Sequence, residues 1–241
     1  KGRSNEAALL GRFLLLLKES VPYSLVSLAA GVKENVIPKS GSAVILIAPG
    51  EEDALRKVIE RFMDCMEAEY GNADPDIRLE LTLGKAGAFP ALDEDSRLRV
   101  LTALNLMPNG VQAMSMDLPG LVETSINLGV AELVDDELIL RQSIRSSVSS
   151  AKEMVSKKVT LLAEQLGGRV DFQGDYPAWP FARNSRLRDL CVEIFEKQYG
   201  YEPKIELMHA GLECGILSGK LDGLDCISFG PYQYDIHTPN E

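Results

Sequence analysis

The sequence predicts an α+β fold, a layer of helices over one face of a mainly antiparallel sheet. Two observations carry this. Helical and strand periodicities succeed one another as helix, two strands, helix, strand, helix, strand, and two long alternating segments then form a hairpin about an acidic turn. The composition supplies the material: of 241 residues, 45% are hydrophobic and 25% charged, ordinary for a chain that buries a core.

Asn5 is placed to cap a helix reaching about Lys18, in which Ala8, Leu9, Phe13, Leu16 and Leu17 recur on one face. Strands follow over 22–30 and 43–47, with turn material from Pro38 to Gly41 between them and Pro49-Gly50 as the stop. Glu51, Glu52 and Asp53 then place three carboxylates where a helix dipole favours negative charge. Leu55, Val58, Ile59, Phe62, Met63 and Met66 make the buried stripe of that helix, to about Tyr70. A helix start accounts for the three acids without a metal, and Asp93-Glu-Asp95 ahead of a helix over 96–106 reads the same way. Between these helices, residues 77–83 alternate apolar and charged as a half-buried strand does, and Pro108-Asn-Gly110 turns the chain into a strand to Met116.

Val122 to Val134 and Leu138 to Val148 make the hairpin. Val122, Thr124, Ile126, Leu128 and Val130 share a face opposite Glu123, Ser125 and Asn127, while Leu138, Leu140 and Ile144 lie opposite Arg141, Ser143 and Arg145. Matching the apolar faces requires a three-residue loop, Asp135-Asp-Glu137, which sets Asn127 across from Arg145 on the polar face. An amide beside a guanidinium is there either as a solvated strand face or as a carboxylate clamp, because the planar guanidinium takes a carboxylate through two parallel hydrogen bonds.

Ser150-Ala-Lys-Glu153 is a capping box for a helix whose stripe is Met154, Val155, Val159, Leu162 and Leu166, ended by Gly167-Gly168. A strand to Phe172 follows. The Gly- and Pro-rich run Gly174-Asp-Tyr-Pro-Ala-Trp-Pro180 is the expected domain boundary, giving domains of 1–178 and 179–241. Beyond it a helix over 185–199 and short strands over 204–208 and 224–228 are expected.

The net charge of −11 opposes a phosphate-binding surface, so nucleic acid is excluded as a partner. The apolar run Phe13 to Leu17 is too short to span a bilayer, and the chain is expected to be soluble and cytoplasmic, with no membrane partner. Cys65, Cys191, Cys214 and Cys226 lack any CxxC spacing and read as reduced thiols. Cys214 shows no third orienting group that would make it a nucleophile.

The last stretch gathers the chemistry. His209-Ala-Gly-Leu-Glu-Cys-Gly215, Ser228-Phe-Gly-Pro231 and Asp235-Ile-His-Thr-Pro-Asn-Glu241 put a carboxylate, Glu213, and a loop imidazole, His237, on the rim of one expected pocket. Metal binding is one reading and a solvated loop histidine the other. These blocks resemble the C-terminal part of the aminoacyl-histidine dipeptidases, zinc-dependent cytosolic enzymes whose last block usually reads His-Ser-Pro-Asp-Glu. Val122-Glu-Thr-Ser-Ile-Asn-Leu-Gly-Val130, Ser143-Ile-Arg-Ser-Ser147, Gly174-Asp-Tyr-Pro-Ala-Trp179 and Gly2-Arg-Ser-Asn-Glu-Ala7 fall in the family's order, so the resemblance covers essentially the whole chain. Departures at Thr238 and Asn240, at Tyr232-Gln-Tyr234 in place of smaller residues, and at Ala178 in place of a common Gly bear on which dipeptide is preferred.

The resemblance implies that 1–178 is a two-layer lid of the dimerisation type and 179–241 the C-terminal portion of an α/β zinc-peptidase catalytic domain. The family's N-terminal metal-binding half is not in this sequence. It implies that His237 is a ligand of one of two zinc ions, or of other divalent metals, and that Arg145, with Asn127 beside it, holds a dipeptide's C-terminal carboxylate. Glu213 is the third substrate-binding candidate, and no catalytic residue is placed in this chain. The implied activity is hydrolysis of dipeptides, Xaa-His or broader, by an intact homodimeric parent. This polypeptide alone is expected to be inactive, because one ligand cannot build a site that needs three or four. The other reading is a non-catalytic dimerisation and ligand-binding module that keeps the fold.

Overall fold

The computed structural model describes residues 4–84, 87, 89–116, 118–205 and 213–230. Asn5 caps helix α1 (Glu6–Lys18), its Oδ1 accepting from the Ala8 N–H at 3.2 Å. Helix α1 buries Ala7, Leu9, Phe13, Leu14 and Leu17, helix α2 (Glu52–Tyr70) buries Leu55, Val58, Phe62 and Met66, and helix α3 (Glu94–Leu106) buries Val100, Leu101 and Leu104. These stripes close on a sheet made of β1 (Tyr23–Gly31), β2 (Gly41–Ile47), β3 (Gly110–Met114), β4 (Val122–Val134) and β5 (Glu137–Ser146). The order is β2-β1-β4-β3 with β5 also paired to β4, and β1 runs antiparallel to both β2 and β4. Strand β4 therefore has three neighbours, two of which share one of its edges.

The hairpin turn has two residues rather than three. Asp135 and Asp136 both adopt left-handed backbone (φ 47° and 64°), the arrangement of a type I′ turn, which aspartate tolerates better than most residues. A two-residue loop offsets the apolar faces by one residue, the mismatch a three-residue loop avoids. Strand β4 itself absorbs the offset. Leu128, Gly129, Val130 and Ala131 are all buried, so the alternation slips there. Before the slip Ile126 packs with Ile144; after it Ala131, paired with Ala30, and Leu133 share the core with Leu138 and Leu140. Glu132 and Arg141 form an ion pair at 3.2 Å on the more exposed side.

Asparagine side chains hold this slip. The Leu128 N–H donates to Asn109 Oδ1 and its carbonyl accepts from Asn5 Nδ2, both at 2.9 Å, so two side chains satisfy backbone groups that a neighbouring strand would otherwise take. Gly129 is required by close approach: a Cβ there would lie 2.3 Å from the Lys33 carbonyl oxygen and 2.5 Å from Glu34 Cα.

Residues 77–83 do alternate, with Ile77, Leu79 and Leu81 against the core, yet they form no strand. Alternation reports which side chains face inward; a strand also needs a partner edge for its backbone. The same reason applies to 169–172 and 224–228, which also carry no strand, while most of 204–208 lies outside the described residues. Helix α4 (Ser149–Gln165) buries Val155, Val159 and Ala163, four residues apart, and leaves Met154 54% exposed, so Met154 is not part of the stripe. Arg97 on α3 is buried although its sequence position reads as polar. Its guanidinium lies 4.6 Å from the Tyr23 ring centroid and 2.5 Å from Glu94. Burial pushes the Tyr23 phenol up to about 12 against the opposing pull of Arg97, and its hydroxyl donates to the Leu14 carbonyl at 2.9 Å.

The chain divides into two compact units. One comprises Lys1–Ala113, Ser125–Ile144 and Glu153–Asp171 and holds the packing just described. The other comprises Met114–Thr124, Arg145–Lys152 and Phe172–Glu241. In this second unit, helix α5 (Arg186–Tyr199) is capped by Ser185 Oγ, which accepts from the Arg188 N–H at 3.0 Å, and ends at Gly200 with φ 77°. Asp225 accepts from Ser185 Oγ at 2.6 Å and from the Leu187 N–H at 2.9 Å. Helix α6 (Glu213–Lys220) forms between the two expected short strands, where the sequence reading assigned no helix.

Candidate functional site

Arg145 is the penultimate residue of β5 and is exposed, and the two serines that follow it are buried. Ser146 Oγ and Thr124 Oγ1 share a hydrogen bond of 2.8 Å, and Ser146 Oγ accepts from the Val148 N–H at 3.0 Å. The Ser147 N–H donates to the Glu123 carbonyl at 3.2 Å. Buried hydroxyls with satisfied partners fix the backbone that carries the cation, which is how a binding group is kept in one geometry. The Arg145 guanidinium makes no hydrogen bond or ion pair to the described residues, whereas Arg141 on the same strand is committed to Glu132. Five N–H donors in a fixed fork are thus left for a ligand.

Asn127 is placed otherwise. Its Nδ2 donates to the Glu34 and Val36 carbonyls, each at 2.9 Å, so both amide hydrogens hold the loop after β1. The remaining Oδ1 is an acceptor and has no hydrogen to offer a carboxylate. The expected position across from Arg145 depended on a three-residue loop, and the two-residue turn removes that basis.

Glu213 is exposed at the first position of α6, where a helix start favours a carboxylate. His237 lies outside the described residues, as does His209. Among the described residues there is no group of three or more His, Cys, Asp or Glu that could hold a metal ion. The acidic clusters serve their helices: Glu52 accepts from the Gly50 N–H at 2.9 Å, and the Ser96 N–H, donating to Asp93 at 2.7 Å, holds that carboxyl below its ordinary range. The sequence assigns Thr124 to the apolar face and gives Ser146 and Ser147 no role of their own. The signal available was the pair of hydroxyl residues directly after Arg145 at the end of a strand.

No family model matches the sequence. Over 240 residues, the whole of this chain, it is 31% identical to the cytosol non-specific dipeptidase of Escherichia coli (strain K12), of which it covers 49%. The crystal structure of aminoacylhistidine dipeptidase from Vibrio alginolyticus matches with a TM-score of 0.90 at 31% identity, over 96% of this chain and 47% of that one. Over essentially its whole length the chain is similar to one part of these dipeptidases. It spans about half the length of the dipeptidases it matches. The antiparallel sheet with its helices is accordingly a portion of the dipeptidase fold. Among the described residues no helix is long and apolar enough to cross a membrane.

Proposed function

We propose that this chain is part of a metal-dependent dipeptidase in which Arg145 receives the free C-terminal carboxylate of the substrate. The observation that carries this reading is an exposed guanidinium with no protein partner among the described residues, mounted on backbone that buried hydroxyls hold in place. A carboxylate matches that fork through two charge-assisted hydrogen bonds. A dipeptide's carboxylate sits one residue beyond the scissile bond, so a fixed cation at that reach selects dipeptides over longer or blocked chains. Asn127 supports the strand by holding the loop laid over it, and Glu213 offers an exposed carboxylate as a second substrate contact.

The described residues do not by themselves fit a zinc site, and no hydrolytic step is assigned to this chain. In the parent protein His237 would supply one ligand to zinc or a similar divalent ion, the others coming from outside this sequence. Residues 1–178 would be the lid, 179–241 the returning part of the catalytic domain, and the parent a cytoplasmic homodimer acting on Xaa-His or broader dipeptides. Helix α5 supports this division. It is amphipathic in sequence, yet none of its residues is buried, with Leu190 at 49% and Ile194 at 51% exposed, as suits a helix that the remainder of a longer protein covers.

The test compares Arg145→Ala with the unaltered parent enzyme on a dipeptide and on its C-terminal amide. A charge-assisted hydrogen bond worth about 1.5–3 kcal/mol predicts a loss of roughly ten- to two-hundred-fold in kcat/KM on the dipeptide, and a smaller one on the amide. An equal loss on both would make Arg145 structural.

A further inference from the structure

We infer that Cys214 and Cys226 form a dithiol site that low-molecular-weight disulfides convert reversibly into an intramolecular disulfide. The two side chains lie close enough to influence one another although they belong to different segments, Cys214 to the first turn of α6 and Cys226 to the stretch after it. A second contact locates the same thiol independently: Cys214 Sγ donates to the carbonyl of Ile227, the residue after Cys226, at 3.6 Å. Both cysteines are half-buried, so a small reagent reaches them without unfolding.

The backbone on each side is held. Gly215, next to Cys214, lies so close to 177–179 that a Cβ would come within 3.0 Å of the Pro177 carbonyl oxygen. Asp225, next to Cys226, takes hydrogen bonds from Ser185 Oγ and the Leu187 N–H. Two thiols presented on fixed backbone react with each other as an intramolecular pair, at a high effective concentration. Burial first, then the neighbouring Cys226, raises the Cys214 thiol above its ordinary range, consistent with its role as an S–H donor to Ile227. Cys65 is on α2 and Cys191 on α5.

With oxidised glutathione, one protein thiolate attacks a glutathione sulfur, forms a mixed disulfide and expels a glutathione thiolate, which takes up a proton. The second protein thiol loses its proton and attacks the protein-side sulfur of that bond, expelling the second glutathione. Two protein thiols are oxidised, one glutathione disulfide is reduced to two thiols, and α6 becomes covalently tied to the stretch around Cys226.

The test treats the full chain with oxidised glutathione, alkylates the remaining thiols and digests with trypsin. Cleavage after Lys220 separates the two cysteines, so their disulfide joins peptides 205–220 and 221–241. Expected are that joined peptide as the main product, its disappearance with dithiothreitol, and alkylated Cys65 and Cys191. Cys214→Ser and Cys226→Ser, checked for folding by circular dichroism, should each stop at a glutathione adduct on the remaining partner. Stable adducts on both cysteines of the unaltered chain, a bridge to Cys65 or Cys191, or no reaction would each overturn the assignment.

Discussion

At the scale of single residues, the hydrogen bonds with the least slack are those that replace a missing strand. Leu128 is 1% exposed, and Asn109 accepts its N–H. Asn109→Ala leaves that donor buried without a partner and should cost about 1–3 kcal/mol, read from the urea midpoint of the chain. Asp225 is a residue whose contribution depends on pH. The Ser185 hydroxyl, then the Leu187 N–H, holds its carboxyl below the ordinary aspartate range. A folded-state pKa below the unfolded one gives stability that is present above the ordinary range and lost as pH falls through it to the lower folded value. Urea midpoints measured from neutral to acid pH should therefore fall less steeply in Asp225→Asn than in the unaltered chain. Identical acid slopes would show that the Ser185 contact does not couple to folding.

At the scale of elements, the hairpin reconciles a short turn with a buried face by slipping one strand. Gly129 sits at the slip, under a loop whose position the two Asn127 hydrogen bonds also fix. Gly129→Ala pushes a methyl group into that backbone and should destabilise by about 1–3 kcal/mol, since neither side can yield without losing hydrogen bonds. The turn offers the opposite sign. Asp136 holds φ at 64°, a region where glycine carries no steric penalty, so Asp136→Gly should stabilise by up to about 1 kcal/mol. Thermal unfolding of the two variants side by side tests both signs. A stabilising Gly129→Ala would mean that the loop is not seated on β4.

At the scale of the whole molecule, the half-exposed apolar face of α5 distinguishes this chain from the longer parent proposed above. Leu190→Lys and Ile194→Lys alter residues about half exposed here, and should leave the stability of this chain within about 0.5 kcal/mol. In the parent protein the same changes should lower the thermal midpoint by several degrees, because the lysines would enter an interface with the remaining half. The proposed metal role gives a second test at this scale. His237→Ala in the parent should remove one zinc per chain by elemental analysis, and unchanged stoichiometry would remove His237 from the ligand set.

Asn5, Asp93 and Ser185 could be read as helix starts because a cap acts within a turn of its own residue, and the stripe of α2 because burial repeats with the helical period. The positions of β1, β2, β4 and β5 were legible for the same reason, and Arg145 could be singled out on a polar strand face. Pairing is not local. That Asp135-Asp136 closes the turn alone, that Asn5 and Asn109 reach Leu128, and that Asn127 spends both hydrogens on the 34–36 backbone depend on segments up to 123 residues apart. Arg97 reads as a surface cation until Tyr23 covers it, and Cys214 as a lone thiol until Cys226 comes beside it. A sequence pattern specifies which side of an element turns inward; only the packed chain specifies what it meets there, because that contact is made by residues whose spacing carries no period.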